Sequence, residues 1–164
     1  MEPSFLLEVS SPEQTMLCGE IMGKLIPRSS VVGLTGDLGA GKTVFTKGLA
    51  RGLGIDQEPN SPTFVIMSCY EGSVPLSHFD VYRLSGGAEF EDTGYEEFFY
   101  GDGISVVEWA DKIRDVLPPN AVIIDIQFPS DVGAESRTIK VEGKEKWLLS
   151  FRNTAEQALL ASRR

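Results

Sequence analysis

A chain of 164 residues, 41% hydrophobic and 24% charged, is long enough to bury a core without staples and reads as one domain over residues 1–164. Its net charge of −9 argues against a chain that grips nucleic acid alone, since that needs a basic face to release phosphate counterions. No apolar run approaches the roughly 20 residues of a bilayer span; no signal-peptide pattern opens the chain, and Cys18 and Cys69 form no CxxC pair, so a cytoplasmic, reducing setting is expected.

In chain order, FLLEV (5–9) suits a short strand. SPEQ (11–14) starts a helix, with Ser11 as N-cap, Pro12 in the first helical position and Gln14 completing a capping box. Leu17, Ile21 and Leu25 recur at helical spacing and are expected to face the core, and Pro27 ends that helix. VVGLT (31–35) is a β-branched apolar run, a buried strand. A second helix runs from about Lys42 to Leu53, with Phe45, Leu49 and Leu53 on one stripe and Gly54 as its cap.

PTFVIMSCY and VPLSHFDVYRL read as two strands of a hairpin around EGS. The acidic, aromatic stretch 88–103 reads as a short helix plus loop. ISVVE follows as a strand, ADKIRDVLPP as a short helix stopped by prolines, and AVIIDIQF and RTIKVEG as strands. Residues 153–164 form either a short helix or a frayed tail. The order predicts a three-layer α/β domain whose central sheet is mixed and only partly parallel.

GDLGAGKT (36–43) lies between a predicted strand and a predicted helix, and it matches GxxxxGK[ST] at every fixed position. Glycines let backbone N–H groups turn toward phosphate oxygens, and the helix start adds its positive dipole end. The loop residues Gly36, Asp37, Leu38, Gly39, Ala40, Gly41, Lys42, Thr43 and Val44 are therefore candidate nucleotide contacts. Lys42 is expected to reach the β- and γ-phosphates and Thr43 to ligate Mg²⁺. Neither DxxG nor NKxD occurs in the chain, which favours ATP over GTP.

A loop of this type that does chemistry needs an acid at a strand end to hold the metal, and a group to orient the attacking water. Glu108 ends the apolar run 104–107 in the manner of a Walker B acid. Asp80 sits in HFDVYRL, where strand alternation sends His78 and Asp80 to one face and Phe79 and Val81 to the buried other. Trp109 is read as core, or as a wall that holds its neighbour's rotamer. Arg83 either pairs with a carboxylate or reaches phosphate. NSPTF (60–64) offers a turn with a hydroxyl, Thr63, as switch loops do.

GDLGAGKT, SPTF, HFDVYRL and VVEW, in this order and spacing, resemble the TsaE (YjeE) family of small bacterial P-loop ATPases. The similarity runs from about Thr15 to about Val141. It implies an ATPase that serves a TsaB–TsaD type assembly placing a threonylcarbamoyl group on adenosine 37 of tRNAs reading ANN codons; Mg²⁺ is expected at its phosphates, and turnover alone is expected to be slow because no arginine finger stands in the right context. It implies Lys42 as a phosphate residue, Thr43 and Glu108 as metal residues, Asp80 as the acid essential for hydrolysis, and Arg137 near the nucleotide. Which acid, Asp80 or Glu108, orients the water stays open. The resemblance and the acidic charge together lead to a chain that reaches tRNA only through its partners and is monomeric alone. A small-molecule kinase and a nucleotide-gated interaction protein use the same loop and are the competing readings.

Overall fold

Apolar runs and helical stripes become a layered α/β arrangement in the computed structural model, which describes residues 4–37, 39–57, 59, 67–129 and 135–162. In chain order the elements are β1 (Ser4–Val9), α1 (Pro12–Leu25), β2 (Val31–Gly36), α2 (Lys42–Gly52), β3 (Met67–Tyr70), β4 (Leu76–Asp80), α3 (Gly87–Glu91) and α4 (Glu96–Phe99). Then come β5 (Ile104–Glu108), a 3-10 helix (Ala110–Val116), β6 (Val122–Gln127), β7 (Arg137–Glu142) and α5 (Trp147–Ser162). The described strands form one sheet in the order β1-β7-β6-β2-β5-β4-β3. β6, β2, β5 and β4 run parallel at its centre, and antiparallel pairs flank them. β2 and β5 read as unbroken apolar runs because helices cover both of their faces.

On one face, Leu7, Val32, Leu34, Ile104, Val106 and Ile124 join the buried residues of α1, α2 and α5. On the other, Val31, Phe79 and Val107 pack against Phe90, Tyr95, Phe99 and Ile113. The acidic stretch 88–103 thus folds as two short helices pinned by aromatic rings. Phe79 meets Phe90, Phe98 and Phe99 edge-on, with centroids 5.5, 6.1 and 5.6 Å away, a geometry that suits the ring quadrupoles.

Three expectations change. The capping bond at Ser11 forms, with Gln14 N–H donating to Ser11 Oγ at 3.2 Å, but the return bond reaches Ser10 N–H at 2.8 Å, one residue earlier. The Gln14 amide also donates to Ser162 Oγ at 2.9 Å and so ties α1 to the end of α5. On α1 the buried stripe is Cys18, Gly19, Ile21, Met22 and Gly23, while Leu17 is half-buried and Leu25 is 36% exposed. The glycines explain this: α2 comes so close that a Cβ on Gly19 would lie 2.3 Å from Phe45 O, and one on Gly48 2.1 Å from Met16 O. Burial raises the Cys18 thiol to about 12, as befits an inert core residue. Finally, the C-terminal helix begins at Trp147, well before residue 153, and buries Leu148, Phe151, Ala155 and Leu159.

Candidate functional site

The parallel strands β2, β4 and β5 end on the same side of the sheet, and the loop after β2 crosses their carboxyl ends, where ligands bind in open α/β sheets. Gly36 closes β2 with φ 127°, and a Cβ there would lie 2.0 Å from Ile126 O. Only glycine fits such a turn. The chain passes Asp37, Gly39 and Ala40 and enters α2 through Gly41, the N-cap at φ 118°; Leu38 lies outside the described residues. Among the described residues no side chain caps α2; its first N–H groups and dipole end are at the loop, as an anion requires.

Lys42 is buried, with 5% of its surface exposed. Its Nζ donates to the carbonyls of Gly36 and Asp37, both at 2.9 Å, and lies 4.1 Å from the centre of the Trp109 ring. Burial pushes this ammonium below the ordinary lysine range; Glu108, Asp111, Asp37 and Asp80 pull it back upward. One residue on, Thr43 Oγ1 donates to Glu108 Oε1 at 3.1 Å. The P-loop helix and the end of β5 therefore meet through the two side chains expected at a metal. Val44 follows on α2, half-buried.

Strand register brings in the second acid. β4 and β5 are paired so that Asp80 lies beside Glu108 and His78 beside Val106. Asp80 and His78 share a face as alternation predicts, yet they do different things. His78 is fully buried, with Nε2 2.5 Å from Glu108 Oε2. Asp80 is half-buried and accepts the Tyr82 N–H at 3.0 Å. Burial raises the Asp80 carboxyl above the usual range, the Tyr82 bond opposes this, and the Glu108 charge adds to it.

Trp109 adopts φ 63°, a left-handed conformation uncommon outside glycine. This turns its ring over Lys42 and sets it 4.9 Å from the Tyr82 ring. It walls the lysine, where the sequence suggested its neighbour Glu108. Lys112 donates to the Tyr82 carbonyl at 2.5 Å and backs that wall. Arg83 is exposed. Arg137 reaches the loop: its Nε donates to Ala40 O at 3.1 Å while its guanidinium lies 4.2 Å from the Phe128 ring. Residues 60–64, with Thr63, lie outside the described residues. The Phe128 and Lys112 contacts carry no sequence signal, because both arise where separate strand ends converge.

The donor set fits a hard cation. Thr43 Oγ1 and Glu108 Oε1 are oxygens, and among the described residues no three His, Cys, Asp or Glu side chains converge to cage an ion. Mg²⁺ suits that setting, since it is usually held by one or two carboxylates and substrate phosphates, not by a protein cage.

The family described as "Threonylcarbamoyl adenosine biosynthesis protein TsaE" matches residues 9–139, a span that holds every site residue above. The chain belongs to the TsaE family. It is 43% identical over 125 residues to the tRNA threonylcarbamoyladenosine biosynthesis protein TsaE of Treponema pallidum (strain Nichols), covering 76% of this chain and 93% of that relative. To its namesake in Bacillus subtilis (strain 168) it is 45% identical over 122 residues, 74% of this chain and 76% of the relative. The crystal structure of YdiB from Bacillus subtilis matches with a TM-score of 0.74 and 32% identity, covering 96% of this chain and 97% of that one. The TsaE-family chain thus has the three-layer fold of a P-loop NTPase, with the mixed sheet expected of it.

Proposed function

We propose that this TsaE-family chain, acting as a single domain, binds ATP with Mg²⁺ and hydrolyses it in support of threonylcarbamoyl transfer to adenosine 37 of tRNAs reading ANN codons. The observation that carries this reading is the 3.1 Å contact between Thr43 and Glu108 beside a buried Lys42, which joins a P-loop to a strand-end acid. Mg²⁺, when bound, supplies charge neutralisation to the phosphate oxygens, and Thr43 and Glu108 are the residues that would hold it.

Backbone N–H groups of the loop from Gly36 to Val44, Leu38 included, orient the phosphates. Lys42 exchanges the Gly36 and Asp37 carbonyls for phosphate oxygens, against which its charge is better used. Asp80 orients the attacking water or takes its proton. Both Glu108 oxygens already accept bonds, from Thr43 and His78, whereas Asp80 is the more accessible acid; that asymmetry supports Asp80 over Glu108 for the water. Arg137 helps hold the loop and the nucleotide against Ala40 and Phe128. Turnover by the chain alone is slow in this reading and rises in a TsaB–TsaD type assembly, through which an acidic chain reaches tRNA.

The test is phosphate release with and without such partners. Lys42→Ala and Asp80→Ala are each expected to lower the partner-stimulated rate by about 100-fold or more, the scale of losing one preorganised charged group. Full release from both variants refutes the mechanism.

A further inference from the structure

We infer that His78 is a positioning residue: its Nε2–H holds the Glu108 carboxylate in the rotamer that presents Oε1 beside Thr43. The inference rests on the reading of Glu108 as the metal's acid and adds to it the group that aims that acid.

Glu108 is only 3% exposed, and a carboxylate out of water must find donors. The two bonds named above are shared out one to each oxygen: Thr43 Oγ1 to Oε1 at 3.1 Å and His78 Nε2 to Oε2 at 2.5 Å. The carboxylate has no proton to give, so Nε2 carries the hydrogen. That tautomer leaves Nδ1 as a bare lone pair, and Nδ1 is indeed buried without a hydrogen-bond partner among the described residues. A fully buried imidazole with one nitrogen idle is placed for its other nitrogen.

The register explains how it reaches. On parallel strands with His78 beside Val106, Glu108 is the next residue along the same face. The choice of side chain also follows from charge. Lys or Arg at this position would bring a permanent positive charge against a carboxylate meant to attract a cation. Imidazole offers the carboxylate one directed N–H without a permanent charge. Once Thr43 turns its hydroxyl lone pair toward a metal, the His78 N–H still holds Glu108 through its other oxygen. Groups in this role outside the metal's own ligands typically contribute 10–100-fold to metal affinity.

Glutamine and asparagine separate this role from mere core filling. His78→Gln carries an amide N–H where Nε2 stood; His78→Asn carries one only as far as Nδ1. ADP affinity is measured by calorimetry for wild type, His78→Gln, His78→Asn and Glu108→Gln, in EDTA and across a Mg²⁺ titration, with thermal unfolding to establish that each is folded. For His78→Asn the expected result is about 10–100-fold more Mg²⁺ needed for half-maximal enhancement of ADP binding, with affinity in EDTA unchanged. His78→Gln is expected within a few-fold of wild type. If Glu108→Gln loses the Mg²⁺ dependence while folded His78→Asn keeps it, the positioning role is overturned and the metal reading stands. If His78→Gln and His78→Asn weaken binding equally in EDTA and in Mg²⁺, the residue is only structural and the proposal falls. A Glu108→Gln variant with wild-type Mg²⁺ dependence overturns the metal reading itself.

Discussion

Asp80 carries opposing demands in one carboxyl. Held above the usual carboxylate range by burial, it binds a proton more tightly in the folded chain than in the unfolded one. Its contribution to stability is therefore fully present below the unfolded pKa and is lost as pH rises through the folded pKa. At neutral pH the ionised group costs stability, a cost that suits its proposed role in hydrolysis. Asp80→Asn keeps an oxygen for the Tyr82 N–H and removes the charge. It is expected to raise Tm by about 1–3 °C at pH 7.5, with the gain shrinking at pH 4, while partner-stimulated hydrolysis falls at least 100-fold. Differential scanning fluorimetry across pH 4–8 checks the first part; an unchanged or lower Tm at pH 7.5 contradicts it. Lys42, Thr43, Asp80 and Glu108 were legible in the sequence because each belongs to a local pattern with a mechanism. The turn of Trp109 onto Lys42 was not, because nothing in a residue's type announces a φ of 63°.

Among the elements, the pairing of α1 with α2 shows where pattern reading falls short. Hydrophobic spacing chose Leu17, Ile21 and Leu25 because it scores side chains; Ile21 is buried and Leu17 packs against the core, but the closest contact between the helices is made by residues that have no side chain. Gly19, Gly23, Gly48 and Gly52 let backbone touch backbone, with added Cβ atoms only 2.1–2.4 Å from carbonyl oxygens of the facing helix. Gly48→Ala is expected to destabilise the chain by about 3 kcal/mol, because main chain must move to admit one methyl group. Urea unfolding measures this; a loss within 0.5 kcal/mol, the range of an ordinary surface change, would mean that the helices slide apart freely. The strands were the easier part, since β2 and β5 are covered on both faces and show it as continuous apolar runs. α5 was only half legible: its buried Leu148 and Phe151 lie before residue 153, where the helical pattern in the sequence begins.

Taken whole, the molecule carries a net charge of −9 on a fold without a helix long and apolar enough to cross a membrane among the described residues. Binding tRNA directly would require phosphate contacts that release counterions, with affinity falling steeply in salt. The isolated chain is expected to give no salt-sensitive tRNA shift in gels run at 50 and 200 mM salt, and to give one only when partners supply the basic surface. Tight binding by the chain alone, weakened by salt, would contradict the indirect route to tRNA. The sheet order, by contrast, was only partly legible. A mixed, partly parallel sheet followed from element order, but the antiparallel flanks and the placement of β7 between β1 and β6 depend on long-range pairing that no local pattern records.

The bridge of Gln14 to both Ser10 and Ser162 has a practical side. It fastens the last turn of α5 beside the start of α1, and α1 in turn brings the Thr15 methyl to within 3.6 Å of where a side chain on Gly41 would begin. The end of the last helix is thus a near neighbour of the phosphate loop. A dye attached at Ser162 would sit where nucleotide occupancy can be heard, and a bulky fusion there would lean on the very helix that frames the loop.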